Sequence, residues 1–555
     1  MITSSKWTVQ LIIDQCVEHG VVHWVFSPGS RNAPLAIAAE HHPAIETVVI
    51  HDERSAAFFA LGLAEQLGQP VALCCTSGSA PANYLPAITE AFYRSIPLLI
   101  VSADRPMAWT DQGDGQTIRQ PGIFRDFTHR VLHLEDRKEE SSTHWEYLRE
   151  SALLLNQLAH GPVHINLGLS EPLYETETKE RTYYRKIKSL ENHSLDPQAL
   201  ISLVELMSHK KVMVLCGQQP PIPGLQEAME TFALNDHVVV LTENTSNVIS
   251  DRFNSCIDRS LNAIDASIET DFMPEILITL GGSVVSKRIK SFLRRTPLAA
   301  HLRLGLDFPE MDTYQQLTHS IKVPALEFFK KLNAAMEQTQ GSSFFKRWKS
   351  LDLEVQRKSE RFETPQDELV DFEVYRTFFA MLPEHSVVHL GNSSVIRYAQ
   401  LFSPIKGCTY LSNRGTSGID GCISTAMGYA SKDARLNVLL IGDVSYLYDV
   451  NALQIKNLSP NLKIILINNQ GGGIFNIIDG SKDAPEREKY FEAKHSRNGS
   501  VAEAFGWKYR RIEQRALLVD SLRDLLFHCE IECLEIATNN ELSPRTLNDF
   551  FTFVR

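Results

Sequence analysis

The chain has 555 residues and a formal net charge of −12, from 55 Lys and Arg against 67 Asp and Glu. That acidity excludes a general nucleic-acid or membrane-surface binder, so any anion site has to be built locally. Hydrophobic and charged contents of 43% and 22% are those of a folded globular protein, and the length suits three or four domains.

Nine cysteines without a CxxC pair point to reduced core thiols rather than disulfides or zinc. Residues 1–10 lack an apolar signal core and no apolar run spans a membrane, so a cytoplasmic location is expected.

In chain order, residues 1–180 alternate helix and strand. Trp7–Glu18 has helical spacing. A strand over 21–26 runs into Ser27-Pro28-Gly29-Ser30-Arg31, and one over 47–50 into His51-Asp52-Glu53-Arg54. A small-residue helix over 55–65 follows, rich enough in Ala and Gly for another segment to approach closely. Val71–Cys75 empties into Thr76-Ser77-Gly78, and a strand over 98–102 into Asp104-Arg105-Pro106. Strands interleaved with helices indicate a doubly wound parallel sheet, whose ligands sit at the carboxyl ends of the strands.

The stretch from 175 to 197 is charged and aperiodic, as a linker would be. A second α/β domain is expected over 195–340, with strands at 212–215, 238–241 and Ile276–Leu280, the last leading to Gly281-Gly282-Ser283. A charged helical stretch over 327–368 leads to a third α/β domain over 365–555. Its strand ends fall at Gly391-Asn392-Ser393, Asn413-Arg414-Gly415, Gly442-Asp443 and Asn468-Asn469. The first and third domains read as copies of one architecture.

The densest chemistry lies in residues 436–475. A buried strand over 438–441 ends in Gly442-Asp443, a helix follows from about 446, and a second strand over 464–467 ends in Asn468-Asn469-Gln470-Gly471-Gly472-Gly473. Continuous Val/Ile/Leu runs bounded by Gly and Asn are strands covered on both faces. Asp443, the Asn469 amide oxygen and the Gly471 carbonyl form a hard-oxygen set that suits magnesium bridged to phosphate. The helix N-terminus with Ser445 in its first turn suits the same phosphates. An ordinary βαβ unit with chance polar ends is the other reading of this stretch.

This stretch resembles the thiamine-diphosphate (ThDP) motif, with Val444 in place of its third glycine. The motifs SPGSRNAPL (27–35), HDERSAAFFALGLA (51–64), TSGSAPAN (76–83), SADRP (102–106), QTIRQPGIF (116–124), GGSVVSKR (281–288), GNSSVIR (391–397), SNRGTSGIDG (412–421), GDVSYLYDVNAL (442–453) and NNQGGGIF (468–475) narrow the likeness. Together they resemble the 2-succinyl-5-enolpyruvyl-6-hydroxy-3-cyclohexene-1-carboxylate (SEPHCHC) synthases of menaquinone biosynthesis, nearly end to end. That family does not keep the third glycine, whereas Gln470 and Gly473 are less usual in its loop.

The resemblance implies a three-domain ThDP-enzyme fold, ThDP with Mg²⁺ or Mn²⁺ as cofactors, and a homodimer or dimer of dimers with sites at the subunit interface. It implies decarboxylation of 2-oxoglutarate and conjugate addition of the resulting succinyl carbanion equivalent to isochorismate, giving SEPHCHC and CO2. Glu53 becomes the catalytic glutamate at the aminopyrimidine N1′, a role that needs a carboxyl shielded from water. Taken alone, Glu53 reads as a carboxylate favoured by the helix dipole. Metal ligands are Asp443, Asn469 and Gly471. Cofactor contacts are expected from Thr76, Ser77, Gly78, Ser393, Ile419, Gly442, Val444, Ser445, Ile474 and Phe475, with Ile419 as the apolar wedge.

Substrate contacts are expected from Ser30, Arg31, Arg105, Gln116, Lys287, Arg288, Ser393, Arg397 and Arg414. Independently of family, two dicarboxylate substrates need several cations, and arginine binds carboxylates bidentately. A small neutral acceptor would not need them, which argues against an acetolactate-synthase-like carboligase. Intact Glu53, Asp443 and Asn469 argue against a catalytically inactive regulatory subunit, and the missing GxGxxG against a nicotinamide dehydrogenase. His51, His41-His42, the run His209-Lys210-Lys211, Asp449 and Asn451 are read as structural or solvated.

Overall fold

Runs such as Val-Leu-Leu-Ile and Ile-Ile-Leu-Ile, flanked by Gly and Asn, become fully buried central strands in the computed structural model. The structure describes residues 1–555 except 138, 189, 191, 338–340, 459–460, 478–479, 481–482 and 529–531. Three sheets carry the architecture. The first orders its strands Glu46–Val49, His23–Phe26, Val71–Cys75, Leu98–Asp104, Val163–Gly168 and Val131–Glu135, all parallel. The second orders Val238–Thr242, Val212–Cys216, Ile276–Leu280, Ala300–Leu304 and His319–Ile321, again parallel. The third orders Thr409–Leu411, Val387–Leu390, Asn437–Gly442, Leu462–Asn468, Cys533–Ala537 and Tyr509–Ile512.

Numbered by first appearance, the first and third sheets share one strand order, 2-1-3-4-6-5. The expected duplication of architecture is therefore present. In this order the chain reverses direction between strands 1 and 3, the switch point outside which α/β sheets bind ligands. Ser27–Arg31 and Thr76–Gly78 flank that point in the first sheet, Gly391–Ser393 and Gly442–Asp443 in the third.

By compactness the chain forms two units: residues 1–190 with 413–434 and 447–462, and residues 191–412 with 435–446 and 463–555. The first unit packs Trp24, Leu99, Val101 and Ile165 under helix Trp7–Glu18. In the second, one core gathers Tyr375, Phe378, Tyr398 and Phe550, and another packs Leu215, Leu277, Phe292 and Trp348.

Within the first unit, helix Glu53–Leu67 lies against helix Cys422–Ala430. A side chain at Gly62 would fall on the Thr425 carbonyl oxygen, and one at Gly428 on the Phe59 carbonyl oxygen. The small residues expected to admit a neighbour do so.

Three sequence expectations change. The stretch 327–368 is two helices, Ala325–Ala335 and Phe344–Arg361, parted around Gly341 at φ +111°. The stretch read as linker contains the strand Thr176–Thr178, paired antiparallel with Ile2–Ser4. The helix after the 442 turn starts at Asp443, three residues earlier than its apolar pattern suggests. His42 is buried, its Nε2 3.7 Å from Asp14 Oδ1. Eight cysteines among the described residues are free and buried, and none of the described helices is long and apolar enough to cross a membrane.

Candidate active site

In the second unit, strand Asn437–Gly442 delivers Asp443 into a buried turn. Its Oδ2 accepts the Gly471 N–H at 2.8 Å and its Oδ1 the Val444 N–H at 2.8 Å. Burial pushes the Asp443 carboxyl up to about 7, with the Asp371 charge adding and those amides opposing. His495 Nε2 lies 3.5 Å from the same carboxylate.

Asn469, at the end of strand Leu462–Asn468, is 5% exposed, and its Oδ1 has no hydrogen-bond partner among the described residues. Its Nδ2 faces Asp371 Oδ2 at 3.5 Å. Asp371 is held in turn by the hydroxyls of Thr538 (2.6 Å) and Ser543 (3.3 Å). A buried amide oxygen without a donor is costly unless something else takes its lone pairs.

Gly471 adopts φ +152°, and a Cβ there would meet the Glu492 carbonyl oxygen at 2.8 Å, so only glycine fits. Gln470 turns left-handed at φ +64°. Its N–H reaches Asn468 Oδ1 at 3.0 Å, and its carbonyl accepts the His495 N–H at 3.1 Å. Ser445 is buried in the first turn after Asp443, Gly442 and Val444 are half-buried, and Ile474 and Phe475 form the short helix Gly473–Asn476 beyond the loop. No cluster of three His, Cys, Asp or Glu is placed for a metal among the described residues. The donors here are a carboxylate at the end of one strand and an amide oxygen at the end of the next, beside the Gly471 backbone, and such hard oxygens fit magnesium, which keeps water and phosphate in its remaining positions.

Ser393 belongs to the same unit and holds φ +71°, a strained setting for serine, at the start of helix Ser394–Ala399. Arg397 Nη1 donates back to the Ser393 carbonyl. Lys287 and Arg288 are exposed at the start of helix Lys287–Arg295, with Arg288 stacked 4.7 Å over the Phe551 ring.

In the first unit, Glu53 is the first residue of its helix, capped by Asp52, whose side chain accepts the Ser55 N–H at 2.9 Å. Burial raises the Glu53 carboxyl above the ordinary range; its own amide opposes the shift and the Asp52 charge adds to it. Thr76 and Ser77 are buried. Thr76 Oγ1 accepts the Arg31 N–H at 3.3 Å, and a Cβ at Gly78 (φ +86°) would lie 3.2 Å from Gln116 Cα. The expected contacts Arg31, Thr76, Gly78 and Gln116 are thus brought together, beside the exposed Ser30.

The arginines are already engaged. Arg31 donates to the Leu169 carbonyl at 2.9 Å and pairs with Glu171 at 3.1 Å; Arg105 donates to the Gly115 carbonyl and pairs with Asp114, both at 2.9 Å. Arg414 is buried, and the next two amides, of Gly415 and Thr416, reach the Glu90 carboxylate at 2.8 and 2.6 Å. Ile419 is half-buried in the same loop.

Strand-end reading missed Asp371, His495 and Gln120. Gln120 is fully buried and joins the Gly78 amide to Asn166. None of the three follows a strand directly, so spacing carried no signal for them. Asp449 and Asn451 do take structural roles: Asp449 accepts the Ser424 amide and hydroxyl, both at 2.7 Å, and Asn451 donates to Asp52 at 2.7 Å.

Residues 6–123 match the family "Thiamine pyrophosphate enzyme, N-terminal TPP binding domain". Over its whole length the chain is similar to proteins named 2-succinyl-5-enolpyruvyl-6-hydroxy-3-cyclohexene-1-carboxylate synthase. That of Flavobacterium psychrophilum is 38% identical across 98% of both chains. That of Bacteroides thetaiotaomicron is 35% identical across 99% of both. The chain belongs to the SEPHCHC synthase family. It is a thiamine-diphosphate-dependent enzyme with the α/β fold of that class.

Proposed function

We propose that the protein decarboxylates 2-oxoglutarate and adds the succinyl unit to isochorismate, forming SEPHCHC and CO2 for menaquinone biosynthesis. The observation that supports it best is the turn where Asp443 receives the Gly471 amide beside the unpartnered oxygen of Asn469. Asp443, Asn469 and the Gly471 carbonyl would hold Mg²⁺ or Mn²⁺, and through it the ThDP diphosphate, near the first turn at Ser445. When bound, ThDP supplies the electron sink for decarboxylation and carbon–carbon bond formation.

The chain's own residues supply position and protons. Glu53, with its raised carboxyl, holds a proton at the aminopyrimidine N1′, while Thr76, Ser77, Gly78, Ser393, Ile419, Gly442, Val444, Ile474 and Phe475 form the walls. Arg31, Arg105, Gln116, Lys287 and Arg288 orient the isochorismate carboxylates beside Ser30. Ser393 and Arg397 orient the succinyl carboxylate, and Arg414 serves either. The carbonyl and carboxylate partners of Arg31 and Arg105, and the Ser393 carbonyl on Arg397, hold those guanidinium planes in preset directions, which favours rigid carboxylate recognition. We place the functional divisions at 1–180 for the pyrimidine, 195–340 for the central domain and 365–555 for the diphosphate and metal, in a homodimer or dimer of dimers.

The test incubates purified protein with ThDP, Mg²⁺ and 2-oxoglutarate, with and without isochorismate, and follows products by mass spectrometry. A succinyl adduct bearing the isochorismate skeleton, lost in Glu53→Gln, is the expected result. Decarboxylation to the aldehyde without adduct would overturn the acceptor.

A further inference from the structure

Strand Cys533–Ala537 runs beside strand Leu462–Asn468, with Glu535 in register with Leu466. A carboxylate inside a sheet packs poorly and is costly to bury, yet Glu535 is fully buried. Four donors from three segments converge on it. Its Oε1 accepts Asn468 Nδ2 at 2.9 Å and lies 2.9 Å from Arg511 Nη1. Its Oε2 accepts the Tyr509 hydroxyl at 2.6 Å and the Gly499 N–H. Each oxygen thus has two donors, which offsets the burial.

Two of those donors lead to the two ends of the cation site. Asn468 directly precedes Asn469. Its Nδ2 also donates to the Arg497 carbonyl at 3.0 Å, and its Oδ1 accepts the Gln470 N–H at 3.0 Å. With both sides of its amide engaged, Asn468 sets where the backbone turns at Gln470, and hence where Asn469 and Gly471 stand. Gly499 leads the other way. Its carbonyl accepts the Tyr446 hydroxyl at 2.9 Å, and Tyr446 is fully buried in the helix that starts at Asp443. A Cβ at Gly499 would lie 2.5 Å from Leu466 Cδ2 and 2.9 Å from Glu535 Oε2, so the backbone comes this close only as glycine.

We propose that Glu535 is a positioning residue that ties the two ends of the cation site to each other. It holds the loop of Asn469 and Gly471 through Asn468, and the helix of Asp443 through Gly499 and Tyr446. This rests on the reading above, in which Asp443, Asn469 and Gly471 hold the metal ion. Magnesium demands near-ideal octahedral geometry, so ligands from two strand ends bind it best when those ends cannot drift apart. Each link is a hydrogen bond within the second unit.

Glu535→Gln keeps the shape but leaves one acceptor oxygen, which serves Asn468 or Gly499 and abandons the other. In cofactor-free protein, hydrogen exchange of the Gln470 and Gly471 amides should quicken about tenfold in Glu535→Gln. With ThDP saturating, the Mg²⁺ concentration for half-maximal binding by calorimetry should rise about tenfold. KM for 2-oxoglutarate, with Mg²⁺ and ThDP both saturating, should stay within about twofold. Tyr509→Phe removes a donor from the same carboxylate without cutting either branch. It should lower Tm and leave Mg²⁺ affinity within about twofold. Unchanged exchange or unchanged Mg²⁺ affinity in folded Glu535→Gln overturns the proposal. So does an equal loss of Mg²⁺ affinity in Tyr509→Phe, which would make the effect one of general strand packing. If Glu535→Gln does not fold, Asn468→Ala and Tyr446→Phe cut the branches one at a time. Each should weaken Mg²⁺ binding about threefold, and unchanged affinity in either overturns the proposal. An Asp443→Ala protein that binds Mg²⁺ and ThDP as tightly as wild type removes the cation reading. The exchange comparison, which needs no cofactor, then decides by itself whether Glu535 ties the two ends.

Discussion

A Cβ at position 473 would fall 2.5 Å from Nδ2 of Asn469, so the third glycine of the loop leaves room for that amide. Asp443 and Asn469 were legible in the sequence because each directly follows a buried strand. Asp371 was not: it starts helix Asp371–Met381, 98 residues before the amide it faces, and only folding joins them. Asp449 gives the sharpest test at this scale. Burial pushes its carboxyl up to about 7, against the two Ser424 donors. A carboxyl raised on folding binds its proton longer in the native state than in the unfolded one. Its favourable contribution is complete below the unfolded value near 4 and is lost as pH climbs through about 7. Asp449→Asn carries no such titration. The difference in Tm, variant minus wild type, should therefore rise from pH 5 to pH 8 in thermal scans. A flat difference would mean that Asp449 titrates alike in both states.

Helices and strands differ in how much of them the pattern of residues announces. Central strands did so fully, since an apolar run bounded by Gly and Asn has few other homes. Helix lengths did not: the charged pattern that periodicity alone extends from 327 to 368 holds two helices, Ala325–Ala335 and Phe344–Arg361. The short strand Thr176–Thr178 was hidden because its stability comes from Ile2–Ser4, almost the whole first domain away. The helix pair Glu53–Leu67 and Cys422–Ala430 is the element on which Glu53 depends. Its close approach rests on reciprocal glycines, each facing the other helix's carbonyl oxygen. Gly62→Ala or Gly428→Ala should cost about 1–3 kcal/mol by overpacking, read by urea unfolding. Because the clash is with backbone, rotamer changes give no relief. Either alanine at neutral cost would show that the helices are free to part.

At the level of the molecule, the two sheets with the order 2-1-3-4-6-5 pose a question of division of labour. The Glu53 side and the Asp443 side have the same topology, yet one carries a raised helix-start carboxyl and the other a hard-oxygen turn. If each active site draws its Glu53 half from one subunit and its Asp443 half from the partner, two different lesions can complement. Glu53→Gln and Asp443→Ala homodimers should each be inactive with ThDP and Mg²⁺. Mixed after mild dissociation, half of the random dimers are hybrids. Each hybrid has one doubly damaged site and one intact site, so about a quarter of wild-type activity should return. The regain should track the hybrid fraction seen by native mass spectrometry. Hybrids that form without any regain would place both halves of the site in one chain, and the subunit-interface arrangement would have to be given up.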